Sequence, residues 1–359
     1  MVISKIKLVN FRNLESFSVY PSAKLNLLQG GNGSGKTAVL EAICFMARGR
    51  SFRAGVSGSL INLESKSMAV HVDVAESNGT TLSFSAISRK GEPTLFQVDG
   101  LKRSRGSDIS RALPVQVITP DESDLVFSGP SVRRSFLDWG LFHVEHEYLE
   151  LARKYKKTLK QRNAWIKAGA RVSDPWLHEL AALAAEINEQ RKSYLARICD
   201  FLRAELGAYG GFGKIGLEYY GGGVGLDPNE VLVKFQSQIS YDQKAGTTSL
   251  GPHRGDIKIF FNGTAAKDYL SRGQAKLVSV LFALSQTKLL LNERSRKSIL
   301  LIDDISAELD EDNLVQCMKV ISEMQMQTFM TSSNVFLSTI FEKSFEESKT
   351  FHVKHGQLI

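Results

Sequence analysis

Cysteine is scarce in this sequence, and the few that occur exclude two kinds of protein. Cys44, Cys199 and Cys317 are odd in number and lie far apart. They therefore provide neither the framework of a disulfide-stapled domain nor a zinc site built from paired cysteines. This usage predicts a reducing environment, and we expect the protein to be cytoplasmic.

Long apolar runs are also missing. No stretch reaches the ~18 to 20 uncharged apolar residues of a membrane-spanning helix, and residues 1–12 look like a charged strand rather than a signal sequence. With 43% hydrophobic and 23% charged residues, the chain has the composition of a folded protein rather than a disordered one. Its 359 residues predict two or three domains, or one domain with a large insertion. Because no membrane-spanning run is present, we also expect no membrane partner.

Acidic residues are absent from one segment, residues 151–173, which contains eight basic residues. Because the net charge of the whole chain is +7, the rest of the chain is close to neutral. At 100° per residue most of these cations share a sector of about 100°, and the apolar side chains lie opposite. The candidate DNA-binding residues on this predicted helix (residues 147–167) are Arg153, Lys156, Lys157 and Lys160.

Two interpretations of this cationic face remain open. A charged face is usually a solvated surface, but solvated helices interleave Glu or Asp, and this segment has none. Cations without pairs of Asn or Gln to read bases suit contacts with phosphates, and hence sequence-independent DNA binding. Arg50 and Arg53 form a second cationic candidate elsewhere in the chain.

The period of the apolar residues changes along the chain. Residues 1–120 read as short strands, including a hairpin formed by residues 68–75 and 81–87. Helical spacing prevails from about residue 131 to residue 206, and after a glycine-rich stretch, residues 207–225, strands return. We predict an α/β protein in which a mainly helical region interrupts a sheet.

A phosphate-binding loop is predicted between a strand (residues 25–29) and a helix (residues 38–47). The intervening residues fit G-x-x-x-x-G-K-[ST], in which backbone N–H groups and the helix N-terminus surround phosphates. A glycine-rich turn that caps a helix is the alternative, which the flanking elements disfavour. Lys36 would reach the β and γ phosphates of ATP, and Thr37 would ligate Mg²⁺. The candidate nucleotide-binding residues are Gly30, Gly31, Asn32, Gly33, Ser34, Gly35, Lys36 and Thr37.

An apolar strand that ends in two carboxylates supplies the expected second element of such a site. Residues 299–304 read Ile-Leu-Leu-Ile-Asp-Asp. Asp303 would hold the Mg²⁺ through water, and Asp304 would position or deprotonate the attacking water. The candidate catalytic residues are therefore Asp304 and Lys36, and the candidate metal ligands are Thr37 and Asp303. The alternative is a buried strand whose acidic end caps the next helix.

Residues 270–274, Leu-Ser-Arg-Gly-Gln, have the form of the signature motif of the ABC ATPase superfamily. They precede the Asp303 strand by the spacing of that superfamily, and residues 306–310 resemble its D-loop. The resemblance implies that the motif caps the γ-phosphate of a second subunit, so that two ATP molecules lie in a head-to-tail homodimer. The residues with this implied role are Ser271, Arg272, Gly273 and Gln274. A plain helix N-cap is the alternative for Ser271.

The distance between the two motifs narrows the class of ATPase. Lys36 and Ser271 are 235 positions apart, too many for a transporter ATPase and too few for an SMC protein with its long coiled coil. Nearly end to end, the chain closely resembles the RecF family of bacterial recombination mediators. The segments that carry this resemblance are residues 8–13, 49–53, 129–138 and 251–254.

The resemblance implies an ABC/SMC-like P-loop ATPase head with an inserted, mainly helical lobe and a short arm. Lobe I would comprise residues 1–118 and 275–359, and lobe II residues 119–274. The implied function is ATP-dependent binding of single-strand/double-strand DNA at gaps and help in loading recombinase, in support of replication recovery and SOS induction. Weak, DNA-stimulated ATPase activity would drive dimerisation, and RecR would be a partner.

Single residues refine the implied mechanism. Asp304 stands where most ABC ATPases have Glu, one methylene longer, which is consistent with slow turnover. Thr331 and the two serines that follow it occupy the position of the transporters' switch histidine, and Gln116 is a candidate for the Q-loop glutamine. His253 is either catalytic or structural. The competing functions are the ATP-hydrolysing subunit of a membrane transporter and a P-loop metabolic kinase.

Overall fold

The computed structural model describes residues 1–53, 60–76, 78–103, 106–119, 125–169, 173–209, 213–304, 311–333 and 344–359. The chain divides into two compact units. Unit 1 is Met1–Asp124 with Ser271–Ile359, and unit 2 is Leu125–Leu270. Residues 271–274, which the predicted lobe division kept with the helical lobe, begin the second segment of unit 1 because Ser271 caps a helix of that unit.

A six-stranded sheet forms the centre of unit 1, with the order β15-β14-β3-β13-β12-β8. Its core strands are parallel, and every residue of β3, β12 and β13 is buried. Burial of every residue is typical of parallel strands covered on both faces, and β12 is a continuous apolar run. The strands are β3 (Leu25–Gln29), β8 (Val115–Ile118), β12 (Ile299–Ile302), β13 (Thr328–Ser332), β14 (Ser348–Lys354) and β15 (Gln357–Leu358).

The second sheet of unit 1 is antiparallel, with the order β2-β1-β4-β5-β6-β7. It contains the hairpin that the alternation of apolar residues predicts, since Ser67 pairs with Arg89 and Ala75 with Thr81. The strands are β1 (Val2–Phe11), β2 (Leu14–Val19), β4 (Ser67–Ala75), β5 (Thr81–Arg89), β6 (Leu95–Val98) and β7 (Leu101–Arg103).

The helices described in unit 1 are α1 (Lys36–Arg48), α2 (Gly106–Ala112), α8 (Arg272–Arg294) and α9 (Glu311–Glu323). Gly35 and Gly49 flank α1 with φ angles of 112° and 69°, which side chains with a Cβ rarely adopt. The glycines at both ends therefore fix where α1 begins and ends. Ser271 and Gln274 form a reciprocal capping box at the start of α8.

Unit 2 is mainly helical. Its helices are α3 (Pro130–Val144), α4 (Tyr148–Lys167), α5 (Leu177–Tyr209), α6 (Pro228–Ala245) and the short α7 (Ala266–Tyr269). A three-stranded sheet of order β11-β10-β9 accompanies them, formed by β9 (Ile215–Tyr220), β10 (Asp256–Phe261) and β11 (Thr264–Ala265). In the part of the chain that the structure describes, no helix is long and apolar enough to span a membrane.

Candidate nucleotide-binding site

The loop between β3 and α1 has the backbone of a phosphate cradle. Gly35 has a φ angle of 112°, which strains any residue with a Cβ, and an added Cβ would also lie 2.7 Å from Leu14 Cδ2, whereas Gly31 and Gly33 border open space. Lys36 Nζ donates hydrogen bonds to the carbonyl oxygens of Gly30 and Gly31 at 2.7 and 2.9 Å. The loop therefore holds its own lysine against its backbone.

Two polar groups of the loop lack the solvation that they would have in water. Burial lowers the pKa of Lys36, and the nearby carboxylates of Asp304 and Asp303 oppose this shift by favouring the ammonium form. Ser34 Oγ is buried and has no hydrogen-bond partner among the described residues. A bound phosphate would satisfy both groups, since it carries negative charge and several acceptor oxygens.

Asp303 and Asp304 follow β12 and come together with Thr37 of α1. Thr37 Oγ1 donates a hydrogen bond to Asp303 Oδ1 at 2.8 Å, across 266 positions of sequence. Thr331 Oγ1 donates to the same oxygen at 2.7 Å and accepts the Asp304 N–H at 2.9 Å. The parallel pairing of β12 with β13, and of β13 with β3, brings these residues to one edge of the sheet.

This edge borders a cleft of about 1460 Å³ that is lined by the phosphate-binding loop, Asp303 and Asp304. None of the described residues that line it belongs to the 271–274 motif. Thr37 and Asp303 offer hydroxyl and carboxylate oxygens, the donors that Mg²⁺ prefers. No group of three or more His, Cys, Asp or Glu side chains that could hold a metal was found among the described residues. A cation held by Thr37 and Asp303 would take its other ligands from water or from a nucleotide.

The cleft contains an ion pair that sequence reasoning missed. Glu41, on the face of α1 one turn beyond Thr37, is 1% exposed and bound by Arg12 of the β1–β2 turn. Arg12 Nε lies 2.9 Å from Glu41 Oε2, and Nη2 lies 2.6 Å from Oε1. The spacing of Thr37 and Glu41 on one helical face is the signal that could have revealed this acid.

The Glu41 carboxylate also anchors residues 50–53, which contain the second cationic candidate of the sequence. Ser51 Oγ donates to Glu41 Oε1, and the Arg53 N–H donates to Ser51 Oγ at 2.8 Å. Both Arg50 and Arg53 are exposed, and Arg53 lines the cleft. One buried carboxylate therefore connects the nucleotide helix to two candidate DNA-binding arginines.

The signature-like motif is exposed at the start of α8. Ser271 Oγ accepts the Gln274 N–H at 3.3 Å, and Gln274 Oε1 accepts the Ser271 N–H at 3.0 Å. Ser271 and Arg272 are exposed, and Gly273 and Gln274 are half-buried. The cap is local, yet these side chains remain accessible to another molecule. The D-loop candidate, residues 306–310, lies outside the described residues.

The cationic segment forms helix α4 with one buried face. Tyr155 and Ile166 are buried, whereas the four candidate cations Arg153, Lys156, Lys157 and Lys160 are exposed. Arg153 forms an exposed ion pair with Glu150 at 2.9 Å. Arg171 lies outside the described residues.

Arg162, one of the eight basic residues of the segment, lies in the core rather than on the surface. Its side chain is 0% exposed, and it pairs with Asp174 and Asp242, each at 2.7 Å. Residue type alone does not distinguish it from the surface cations, because both of its partners lie beyond the segment. The cluster fixes α4 within unit 2 and takes no part in the cationic face.

His253 is structural in this arrangement. Its Nε2 lies 3.1 Å from the Thr248 carbonyl, which only accepts, so Nε2 carries the proton and Tyr155 Oη donates to Nδ1 at 2.7 Å. Burial lowers the pKa of His253. Gln116, the candidate for the Q-loop glutamine, is the buried second residue of β8, and its Oε1 has no partner among the described residues. It is not among the described residues that line the cleft.

Comparison with known proteins assigns the family. The family described as RecF/RecN/SMC N terminal domain matches residues 2–357. A protein of Vibrio atlanticus (strain LGP32) named DNA replication and repair protein RecF is 33% identical over 361 residues, covering 100% of this chain and 99% of that protein. The chain belongs to the RecF family. A RecF of Pseudoalteromonas translucida (strain TAC 125) is 34% identical over 368 residues and covers 100% of both chains.

Solved structures agree with membership of the RecF family. One described as the recombination mediator protein RecF-ATPrS in the RecFOR pathway superposes with a TM-score of 0.86 at 25% identity, covering 99% of this chain and 97% of that chain. An Smc head domain bound to a ScpA domain derived from Pyrococcus furiosus shares the fold, with a TM-score of 0.61 at 14% identity, covering 100% of this chain and 96% of that chain. The prediction of an ABC/SMC-like ATPase head in a RecF-type DNA replication and repair protein is confirmed, and the transporter alternative finds no support among these relatives.

Proposed function

We propose that this chain binds and slowly hydrolyses ATP and couples its nucleotide state to sequence-independent DNA binding at single-strand gaps. The observation that carries this proposal is the single cleft shared by Lys36, Thr37, Asp303 and Asp304. In support, relatives named for DNA replication and repair match the whole chain, and one similar solved structure is described as RecF-ATPrS.

Each residue of the cleft has its own role in binding or hydrolysing ATP. Lys36 and the loop backbone bind the phosphates, and Mg²⁺, held by Thr37 and Asp303, would neutralise developing charge on them. Asp304 orients a water molecule and accepts its proton. Because an aspartate reaches one methylene less far than a glutamate, the water is held less well and turnover is slow.

The exposed 271–274 motif completes the site of a second copy. Because none of the described residues that line the chain's own cleft belongs to this motif, we propose that it contacts the γ-phosphate bound by another copy. ATP would thus favour a head-to-tail homodimer. The family resemblance adds a RecR-type partner, a cytoplasmic location and roles in recombinase loading and the SOS response.

The test of this function is retention of the protein on gapped DNA with ATP, with ADP and without nucleotide. We expect the strongest retention with ATP, because the ATP-bound dimer presents two cationic surfaces. The Lys36→Ala variant serves as the control and should bind equally under all three conditions. Equal retention of the parent protein under all three conditions would contradict coupling between nucleotide and DNA.

The contribution of α4 can be measured through the salt dependence of DNA binding. Replacing Lys156, Lys157 and Lys160 with Gln removes three charges from an exposed face and preserves helix propensity. If the three lysines contact phosphates of duplex DNA, the negative slope of log K against log salt should become shallower by about 2.7.

A matched variant tests whether the change is local to α4. Lys192, Lys214 and Lys244 are exposed lysines of unit 2 that lie outside this helix. Their replacement by Gln removes the same charge and should leave the salt slope unchanged. Equal slopes for both triple variants would assign the α4 face to a protein partner or to solubility.

A further inference from the structure

The hydroxyl of Thr331 joins the two carboxylate residues of the cleft. Thr331 lies on β13 and is 2% exposed. Its hydroxyl has a single proton, and an ionised carboxylate only accepts, so the proton goes to Asp303 Oδ1 at 2.7 Å. The oxygen of the same hydroxyl accepts the Asp304 N–H at 2.9 Å.

These two hydrogen bonds control different features of the site. The first fixes the carboxylate of Asp303, which also accepts the Thr37 hydroxyl. The second fixes the backbone of Asp304, whose φ angle of 42° is in the left-handed region that L-residues seldom occupy. Without that bond, Asp304 would lose a restraint on an unfavourable conformation, and the direction of its carboxylate would vary.

We propose that Thr331 is the positioning residue of the hydrolytic site. It orients Asp303 toward the cation and Asp304 toward the attacking water, and it acts through these two residues. The proposal rests on the proposed ATP hydrolysis and deepens it. Groups that orient metal ligands typically contribute roughly 10- to 100-fold to metal affinity or activity.

Thr328, on the same strand as Thr331, is an example of a threonine with a packing role. Thr328 is 0% exposed, and the one hydrogen bond of its hydroxyl to a described residue is to the carbonyl of Met326, at 3.5 Å. Valine has nearly the same shape as threonine and strands favour it, so a site that needs only packing does not require the hydroxyl. Thr331 uses both of its hydrogen-bonding functions, whereas Thr328 hardly uses one.

Three variants separate positioning from packing. Thr331→Val keeps the shape and removes the hydroxyl, Thr331→Ser keeps the hydroxyl and removes a methyl group, and Thr328→Val is the matched control. Three quantities are measured for each: kcat and KM for ATP, the affinity for Mn²⁺ by electron paramagnetic resonance with ADP present, and the affinity for ADP in EDTA. The ADP affinity in EDTA reports whether the cleft is folded.

We expect Thr331→Val to lower kcat and weaken Mn²⁺ binding, each by roughly 10- to 100-fold, while ADP affinity in EDTA is retained. Thr331→Ser and Thr328→Val should stay close to the parent in all three measurements. The proposal is overturned if Thr331→Val matches the parent, if Thr331→Ser is as defective as Thr331→Val, or if Thr331→Val also loses ADP affinity in EDTA. A parent protein that binds no nucleotide would instead refute the proposed function itself.

Discussion

Asp304→Asn should leave ATP bound while reducing its hydrolysis by roughly 10²- to 10⁴-fold, the contribution typical of a general base. The amide keeps the size of the side chain and cannot accept the proton of the attacking water. Binding survives because Lys36 and Thr37, which begin α1, are unchanged in this variant. The ATP-bound dimer should live longer as a result, and steady-state phosphate release is the measurement.

The neighbouring carboxylate provides the control for this variant. Asp303→Asn makes the same chemical change one residue earlier, where Thr37 and Thr331 both donate to the carboxylate. It should weaken Mg²⁺-dependent nucleotide binding, which Asp304→Asn should not. Unchanged phosphate release in Asp304→Asn would show that Asp304 is not the base.

Lys36→Ala and Ser271→Ala should separate nucleotide binding from dimerisation. Lys36→Ala removes a charge-assisted contact worth about 1.5–3 kcal/mol, so ATP affinity should fall by tenfold to more than a hundredfold. Ser271→Ala should bind ATP like the parent and fail to dimerise, because the motif acts on the ATP of another copy. Light scattering with ATP reports the dimer, and equilibrium titration reports the affinity.

A second substitution at Ser271 distinguishes capping from recognition. Ser271 caps α8, and its loss costs about 1 kcal/mol of helix stability whatever its other role. Asp is as good an N-cap as Ser, but its charge would repel a γ-phosphate. Ser271→Asp should therefore restore stability and still fail to dimerise, and dimerisation equal to that of the parent would refute the head-to-tail arrangement.

Motif-bearing residues of the cleft could be predicted from the sequence, but residues that depend on strand pairing could not. Lys36 and Asp303 stand in local patterns, a glycine-rich loop before a helix and an apolar run that ends in acid. Thr331 stands in no such local pattern, and only the register of β13 between β3 and β12 brings it to Asp303. The position of Glu41 one helical turn beyond Thr37 could be predicted from the sequence. Its pairing with Arg12 could not, because Arg12 lies in the turn between β1 and β2.

Elements of the fold also differ in whether a local sequence pattern predicts them. The apolar run of β12 could be predicted from the sequence, because all of its residues are apolar and strands buried on both faces favour such runs. Strand β9 was missed because it lies in a glycine-rich stretch and alternates only weakly. Helix α6 was also missed, although Asp227 followed by Pro228 is a recognisable helix start, and the Asp227 side chain accepts the N–H groups of Asn229 and Glu230.

The order of strands in the central sheet has a consequence for synthesis of the protein. β3, which leads into the phosphate-binding loop, pairs with β13 and β14, and Thr328 follows Leu25 by 303 positions. At roughly 5–20 residues per second, a ribosome takes on the order of 15–60 s to cover that distance. During that interval the partner strands of β3 have not been synthesised, so β3 cannot pair with them. Unit 2 is contiguous in sequence and can already fold. The central sheet, and the ATP cleft at its edge, can therefore form only after residues 328–354 have been synthesised.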